Sequence, residues 1–172
     1  MKKLNSLLKA FVIILLAIFV VSGCKKPKDP YADYTPEREA AMIKDWLSTM
    51  VTNKKDIDTT STGLYYIVIT KGTGETVKTG NTVTVKYTGM FLDGTVFDAS
   101  SLHGDGTFTY IHKDTNPNNR LIQGWEEGIE VLQKGGSAVF LIPSAKAYGI
   151  YGSQSIPPNT PLLFIIEVVD IK

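Results

Sequence analysis

Residues 82–91, TVTVKYTGMF, alternate apolar and polar side chains, and this alternation constrains the fold more than any other feature of the chain. Val83 and Val85 fall on one parity, whereas Thr84 and Lys86 fall on the other. Successive side chains of a β-strand point to opposite faces of the sheet, so this period of two predicts a strand with one buried face.

Five further segments have the apolar content of strands: LYYIVI (64–69), TVFDAS (95–100), TFTY (107–110), SAVFLI (137–142) and LLFIIEVVDI (162–171). The last two are apolar on both parities, which predicts that both of their faces are covered. Asp93-Gly94 predicts a tight hairpin turn between the strands at 82–91 and 95–100. One short helix, predicted over residues 125–133, interrupts the strands without a regular alternation of strands and helices. The chain is therefore predicted to be an α+β protein with an antiparallel sheet and a helix on one face.

The N-terminus has the composition of an export signal. Three lysines precede an unbroken apolar run over residues 10–21, which is too short to span a bilayer comfortably as a helix. The run ends in VSGC, and Cys24 is the only cysteine of the chain. This stretch resembles the lipobox of bacterial lipoproteins, in which the cysteine sulfur takes a diacylglycerol and becomes the mature N-terminus. The alternative is an unmodified cysteine near an ordinary cleavage site.

We interpret residues 1–23 as a lipoprotein signal peptide and Cys24 as the lipidation site. The protein is then expected in the cell envelope, as a membrane-anchored lipoprotein of the periplasm or outer membrane. Residues 24–34 carry charges and two prolines without periodicity, so they are predicted to form an extended tether.

Residues 35–61 are predicted to form an N-terminal helix and a linker. Thr35 is expected as the N-cap and Pro36 as the first helical residue. An apolar stripe follows at helical spacing: Ile43, Trp46, Leu47 and Met50. Two interpretations are open, since the stripe fits packing on the domain and also a dimer interface.

Several function classes find no support in the sequence. The formal net charge of +1 indicates no nucleic-acid binding, which usually shows a basic face. His103 and His112 lack cysteine partners and helical spacing, so no metal site is expected. The loop DTNPNN resembles the start of an EF-hand but lacks the turn glycine and the final glutamate. Glu126 and Glu127 are adjacent, and we interpret them as complementing the helix dipole.

Aromatic residues near glycines form the pattern that remains: YTGMFLDGTVFDAS, TFTY, LIQGWEEGIEVLQKGG and AYGIYGSQSIPPNTPLLF. These stretches, in this order, resemble the FKBP-type peptidyl-prolyl isomerases over residues 62–172. The resemblance implies an antiparallel sheet of five or six strands wrapped around the short helix, with a pocket between them. It also implies a prolyl isomerase that needs no cofactor and no metal.

The resemblance assigns two groups of site residues. The catalytic group is Tyr87, Phe97, Asp98, Tyr148 and Phe164, and the substrate-binding group is Phe108, Leu121, Ile122, Trp125 and Ile156. In the family the tryptophan forms the pocket floor on which the proline ring sits. The Ile122 amide and the Tyr148 hydroxyl correspond to the family's donors to ligand carbonyls. On composition alone, ordinary core packing is the favoured interpretation of each of these aromatic side chains, and only the family resemblance unites them into one site.

The expected function is therefore a lipid-anchored isomerase acting on proline-containing segments of envelope proteins. The alternative is an FKBP-fold chaperone or binding module with weak or no catalysis. Macrolides are expected as further ligands, and a monomer or a dimer mediated by the N-terminal helix as the assembly. The sequence shows no basic partner for Asp98, and Ser155 stands where the family commonly has an apolar residue.

Overall fold

The computed structural model describes residues 29–172. Cys24 and the predicted signal peptide lie outside the described residues. The compact unit that begins at Asp33 contains every element described below. No helix within residues 29–172 has the length and apolar character needed to cross a membrane.

Two α-helices and nine strands make up this unit. In chain order they are α1 (Pro36–Thr52), β1 (Asp58–Thr59), β2 (Tyr65–Thr70), β3 (Thr73–Thr76), β4 (Thr82–Phe91), β5 (Val96–Ala99), β6 (Phe108–Ile111), α2 (Gln123–Ile129), β7 (Gln133–Lys134), β8 (Ser137–Ile142) and β9 (Leu162–Ile171). Short 3₁₀ turns occur at Ser100–Leu102, Pro117–Asn119 and Ser144–Lys146.

The main sheet is antiparallel and has the order β1-β2-β8-β9-β4-β5, with β6 also paired to β4. It has seven strands instead of the expected five or six, and the additional strand is β1, a two-residue edge strand that the sequence did not predict. A second small sheet pairs β3 with β7. The predicted architecture of an antiparallel sheet with a short helix and a preceding N-terminal helix is confirmed.

Strand β4 lies beside β9 on one edge and pairs with β5 and β6 on the other. Gly89 of β4 stands opposite Phe164 of β9. A Cβ atom at Gly89 would lie only 2.7 Å from the rings of both Phe164 and Phe97. The glycine therefore allows two aromatic rings to approach the backbone of β4.

Helix α2 packs closely on the sheet through two glycines one turn apart. A Cβ atom at Gly124 would lie 2.3 Å from Ile142 of β8, and one at Gly128 would lie 2.8 Å from the Phe140 ring. Residues four positions apart share one helix face, so the GWEEG spacing creates a smooth surface that contacts β8.

The prediction of a helix over residues 125–133 is wrong at both ends. The helix begins at Gln123 and ends at Ile129. After it, the amides of Val131 and Leu132 donate to carbonyls three residues earlier, and Gln133 joins β7. The apolar residues after Ile129 continue the core without continuing the helix.

Full coverage of both faces was predicted for β9, and this is wrong from Ile165 onward. Ile165 is 38% exposed, whereas its neighbours Phe164 and Ile166 are buried. The single short helix α2 covers one face of the sheet, which leaves alternate side chains of β9 open to solvent.

Helix α1 begins as predicted. The Thr35 side chain accepts a hydrogen bond from the Arg38 amide at 3.2 Å, and Pro36 is the first helical residue. The apolar stripe is half-buried, and its residues Trp46 and Met50 line a shallow groove together with Leu92 of the β4–β5 turn. The stripe thus faces the domain, although no residue of α1 is fully buried.

Candidate active site

A cavity of about 360 Å³ opens where the β4–β9 region of the sheet meets the first turn of α2. Its walls are mainly aromatic and aliphatic, with a few polar groups. The lining residues are Tyr87, Asp98, Phe108, Arg120, Leu121, Ile122, Trp125, Tyr148 and Phe164. A concave and largely apolar site with few polar groups is typical of small-ligand binding.

Trp125 is held by the rings around it. The ring centroids of Tyr87 and Phe164 each lie 5.2 Å from that of Trp125, nearly perpendicular to the indole. The indole Nε1–H donates to the Tyr110 hydroxyl at 3.0 Å. Trp125 is only 5% exposed, so these contacts hold its indole rigidly in the wall of the cavity.

The position of Trp125 follows from an unusual helix start. Ile122 is the N-cap and provides no side-chain hydrogen bond to the free amides. The buried Glu126 carboxylate instead accepts a hydrogen bond from the Leu121 amide, just before the helix, at 3.3 Å. The first turn of α2 thus has no polar N-cap side chain, and the large apolar side chain of Trp125 lies at the cavity.

Glu126 and Arg120 form a fork-like ion pair beside the cavity. The Arg120 guanidinium donates to Glu126 through Nε, at 2.6 Å, and through a terminal nitrogen. Burial alone would raise the pKa of Glu126, but hydrogen bonds from Arg120 and from the Leu121 amide lower it below its ordinary value. Arg120 is a lining residue that the sequence analysis missed.

The dipole interpretation of the two glutamates is incomplete, because each carboxylate has a specific cation. Glu126 pairs with Arg120, and Glu127 accepts a hydrogen bond from Lys146 at 2.6 Å. Glu127 also accepts hydrogen bonds from Thr60 and Thr62, and thereby ties the linker before β2 to helix α2.

Asp98 is the acidic group of the cavity, and it has two partners. The Tyr87 hydroxyl donates to Oδ2 at 2.7 Å, and His103 Nε2 lies 2.8 Å from Oδ1. The expectation that Asp98 lacks a basic partner is therefore wrong. His103 lies five residues downstream, and the 3₁₀ turn at Ser100–Leu102 returns its ring to the carboxylate.

These contacts determine the protonation states at the cavity. Burial raises the pKa of Asp98, but hydrogen bonds from His103 and Tyr87 outweigh burial and hold it below the usual range. Burial, followed by the hydrogen bond to Asp98, raises the pKa of Tyr87 well above its ordinary value. At neutral pH the pair is therefore a carboxylate beside a protonated phenol.

Two hydrogen-bond donors at the cavity have no protein acceptor within residues 29–172: the Ile122 amide and the Tyr148 hydroxyl. Burial and the negative charge of Asp98 raise the pKa of Tyr148, so its hydroxyl keeps its proton at neutral pH. Tyr148 is 38% exposed, which leaves its side chain accessible from solvent. Both donors are available to a ligand carbonyl.

Eight of the ten predicted site residues line the cavity, and Phe97 and Ile156 do not. The Phe97 ring packs behind the wall, with its centroid 5.6 Å from Phe164 and 5.2 Å from Phe91. Ile156 is 3% exposed and belongs to the hydrophobic core. Phe97 thus supports the lining residue Phe164, and Ile156 is part of the core.

The described part of the chain holds no cluster of three or more His, Cys, Asp or Glu side chains that could bind a metal ion. The cavity offers a ligand its aromatic rings, two free donors and the Asp98 carboxylate.

The chain is similar in sequence to proteins described as FKBP-type peptidyl-prolyl cis-trans isomerases. A probable FKBP-type peptidyl-prolyl cis-trans isomerase of Haemophilus influenzae is 39% identical over 119 residues, which cover 69% of this chain and 46% of the relative. The FKBP-type peptidyl-prolyl cis-trans isomerase FkpA of Escherichia coli K12 is also 39% identical over 119 residues, covering 69% of this chain and 42% of the relative. The chain thus spans less than half the length of these two relatives.

Solved structures resemble the fold as well. The crystal structure of FkpA from Escherichia coli matches with a TM-score of 0.69 and 32% identity, and the match covers 99% of this chain and 72% of that one. A peptidyl-prolyl cis-trans isomerase from Pseudomonas syringae pv. tomato matches with a TM-score of 0.60 and 26% identity, covering 77% of this chain and 95% of that one.

The family profile described as FKBP-type peptidyl-prolyl cis-trans isomerase matches residues 73–169, which is more than half of the chain. The matched range contains every residue that lines the cavity. The chain belongs to the FKBP-type peptidyl-prolyl cis-trans isomerase family.

Proposed function

We propose that this protein catalyses the cis–trans isomerisation of X–Pro peptide bonds, with the proline ring bound against Trp125. The observation that carries the proposal is an aromatic cavity with two unpaired donors, the Ile122 amide and the Tyr148 hydroxyl. Family membership supports the same reaction.

Isomerisation of an X–Pro bond needs no covalent bond between substrate and protein, so a cavity that only surrounds and desolvates the amide is suited to it. The barrier to rotation about a peptide bond, about 18–20 kcal/mol, comes from amide resonance. The planar amide is dipolar and well solvated, and the twisted amide is less so. A cavity of rings that removes water from the amide therefore disfavours the planar form relative to the twisted one.

The two free donors add a preference for the transition state. A donor that meets the carbonyl oxygen only in the twisted geometry lowers the barrier without tightening ground-state binding. Tyr148 and the Ile122 amide are the candidates, since their hydrogens are not committed to other groups. Asp98 fixes the Tyr87 hydroxyl through the 2.7 Å hydrogen bond and so holds that ring in the wall.

A protease-coupled assay with the full chain and an apolar-X–Pro peptide tests the proposal. We expect acceleration over the spontaneous exchange, which takes tens of seconds or longer. Asp98→Ala should slow the reaction, and Tyr148→Phe should slow it modestly because shape and desolvation remain.

Tyr151→Phe is the matched control, because Tyr151 is 88% exposed and does not line the cavity. Its rate should equal that of the unmodified protein. A folded protein that leaves exchange at the spontaneous rate contradicts catalysis. If such a protein still binds the peptide, it is instead an FKBP-fold binding module.

We also propose that Cys24 carries lipid and holds the domain in the cell envelope, where exported proline-containing polypeptides are its substrates. The VSGC motif after a short apolar run supports this. Labelled palmitate fed to cells should enter the protein and should not enter a Cys24→Ala variant. Equal labelling of both forms contradicts the proposal.

Macrolides are proposed as competing ligands of the same cavity, and the measurement is displacement of a bound proline peptide. A macrolide that binds without displacing the peptide contradicts a shared site.

Of the two expected assemblies, the monomer is favoured because the stripe of α1 faces the domain. Size-exclusion chromatography with light scattering distinguishes it from a helix-mediated dimer.

A further inference from the structure

The segment between β8 and β9 carries Tyr148, and two residues of that segment hold its backbone. The Ser144 carbonyl accepts the amides of Ala147 and Gly149, on either side of Tyr148, both at 2.8 Å. The Gly149 carbonyl in turn accepts the Asn159 amide at 2.9 Å. Ser144 and Asn159 therefore determine where the Tyr148 backbone lies.

Both of these residues are tied to the N-terminal helix region. In the first turn of α1, Glu39 Oε1 accepts the Ser144 amide and Oε2 accepts the Ser144 hydroxyl, each at 2.6 Å. Asn159 Nδ2 donates to the Tyr34 carbonyl at 2.7 Å. Hydrogen bonds to a carboxylate are roughly twice as strong as neutral ones, so the two Glu39 bonds are the stronger tie.

The environment makes the Glu39–Ser144 contact well suited to hold a fixed geometry. Ser144 is 5% exposed, and Glu39 is half-buried against it. Glu39 lies outside residues 73–169, the range that the family profile matches. Glu39, from outside the matched range, thus contacts the segment that carries Tyr148, a candidate hydrogen-bond donor to the substrate.

We propose that Glu39 is a positioning residue for the isomerase site, acting through Ser144 on the Tyr148 hydroxyl. The inference rests on the proposed isomerase function. A donor displaced by about 1 Å from its productive position can lose much of its effect on rate. Helix α1 therefore belongs to the catalytic arrangement as well as to the fold.

Glu39→Gln is the primary perturbation, because glutamine keeps the volume but offers one acceptor oxygen in place of two. We expect kcat to fall about threefold to tenfold with little change in KM, since the lost placement concerns the transition state. Glu37→Gln is the matched control, in the same first turn of α1 but exposed, and its kcat should be unchanged.

A double-variant cycle separates positioning from general support of the fold. If Glu39 acts through the Tyr148 hydroxyl, Glu39→Gln should not slow the Tyr148→Phe protein further. Slowing of both backgrounds by the same factor overturns the proposal, and so does a Glu39→Gln protein with unchanged kcat. Ser144→Ala is a second variant that keeps the amide bond to Glu39 and loses the hydroxyl bond. It should lower kcat in the same direction, and it decides the question if Glu39→Gln folds poorly.

Hydrogen exchange of the Gly149 amide, measured by NMR on the full chain, tests the mechanical link without an activity assay. This amide should exchange faster in Glu39→Gln than in Glu37→Gln or the unmodified protein. Unchanged exchange overturns the inference even if the protein is an active isomerase. An unmodified protein without isomerase activity overturns the proposed function instead, whichever way the exchange result falls.

Discussion

Replacing Gly124 by alanine tests the close packing that sets the position of Trp125. The new Cβ atom would lie 2.3 Å from Ile142 Cγ2, whereas ordinary contacts between such atoms are 3.4–4 Å. Ile142 is fully buried in β8, so the overlap of more than 1 Å has to be relieved by moving the helix or the core. Overpacking of this kind costs about 1–3 kcal/mol, and this overlap belongs at the upper end.

Alanine recovers part of this cost, because glycine is less favourable than alanine in a helix by about 1 kcal/mol. The expected net loss in the free energy of unfolding is about 2 kcal/mol. For a domain of this size that lowers Tm by about 4–8 °C. Gly128→Ala should cost less, since its Cβ would lie 2.8 Å from the Phe140 ring.

Thermal unfolding and urea titration of both variants provide the measurement. Gln123→Ala is the control, because Gln123 is exposed in the same helix, and it should stay within about 0.5 kcal/mol of the unmodified protein. A Gly124→Ala protein as stable as the unmodified one would refute the close packing. A larger cost for Gly128→Ala than for Gly124→Ala would refute the ranking.

Two further predictions concern the cavity. Because the pKa of Glu126 is lowered in the folded protein, its contribution to stability is present above its unfolded pKa and is lost as pH falls. The Tm difference between the unmodified protein and Glu126→Gln should therefore be largest near neutral pH and shrink below about pH 4, and a difference that grows on acidification contradicts the ion pair. Glu75→Gln, at the exposed pair with Lys78, should leave Tm close to that of the unmodified protein at each of these pH values. Trp125→Leu should weaken binding of a proline peptide by about 1 kcal/mol, or roughly fivefold in Kd, because it removes flat apolar contact area. Calorimetry checks this, and unchanged affinity combined with a lower Tm would make Trp125 an ordinary core residue.

Sequence patterns predicted the bounds of strands well where apolar and polar residues alternate or where a run of residues is apolar on both parities. The predicted bounds of β4, β8 and β9 are those observed. The start of α1 was predictable because Thr35 and Pro36 act locally, within one turn of the backbone. Such signals need no knowledge of distant contacts.

Signals that depend on tertiary contacts were not predictable. The start of α2 has no capping side chain at Ile122, and the Glu126 carboxylate there is held by Arg120 and by the Leu121 amide. The strand β3 was missed because its pairing with β7 joins residues more than fifty positions apart. Neither feature has a local sequence signature.

For the cavity, the family resemblance predicted which residues form it, whereas the contacts that these residues make are known only from the structure. The contact between His103 and Asp98 depends on a 3₁₀ turn that the sequence analysis did not predict. Phe97 was assigned to the cavity by the resemblance, whereas the structure packs its ring against Phe91 and Phe164 and does not place it in the cavity lining. The contact of Glu39 with Ser144 spans 105 positions and had no sequence signal.

In the proposed mechanism, a proline ring binds against Trp125. The most direct test is the intermolecular nuclear Overhauser effect between the proline ring protons of a bound X–Pro peptide and the indole protons of the protein. The chain has two tryptophans, so the spectrum of Trp46→Phe assigns the Trp125 signals without ambiguity. We expect cross-peaks from the proline ring to Trp125 that are lost when a non-proline peptide replaces the substrate. Cross-peaks to other residues, with none to Trp125 under conditions where the peptide is bound, would mean that the proline ring binds elsewhere.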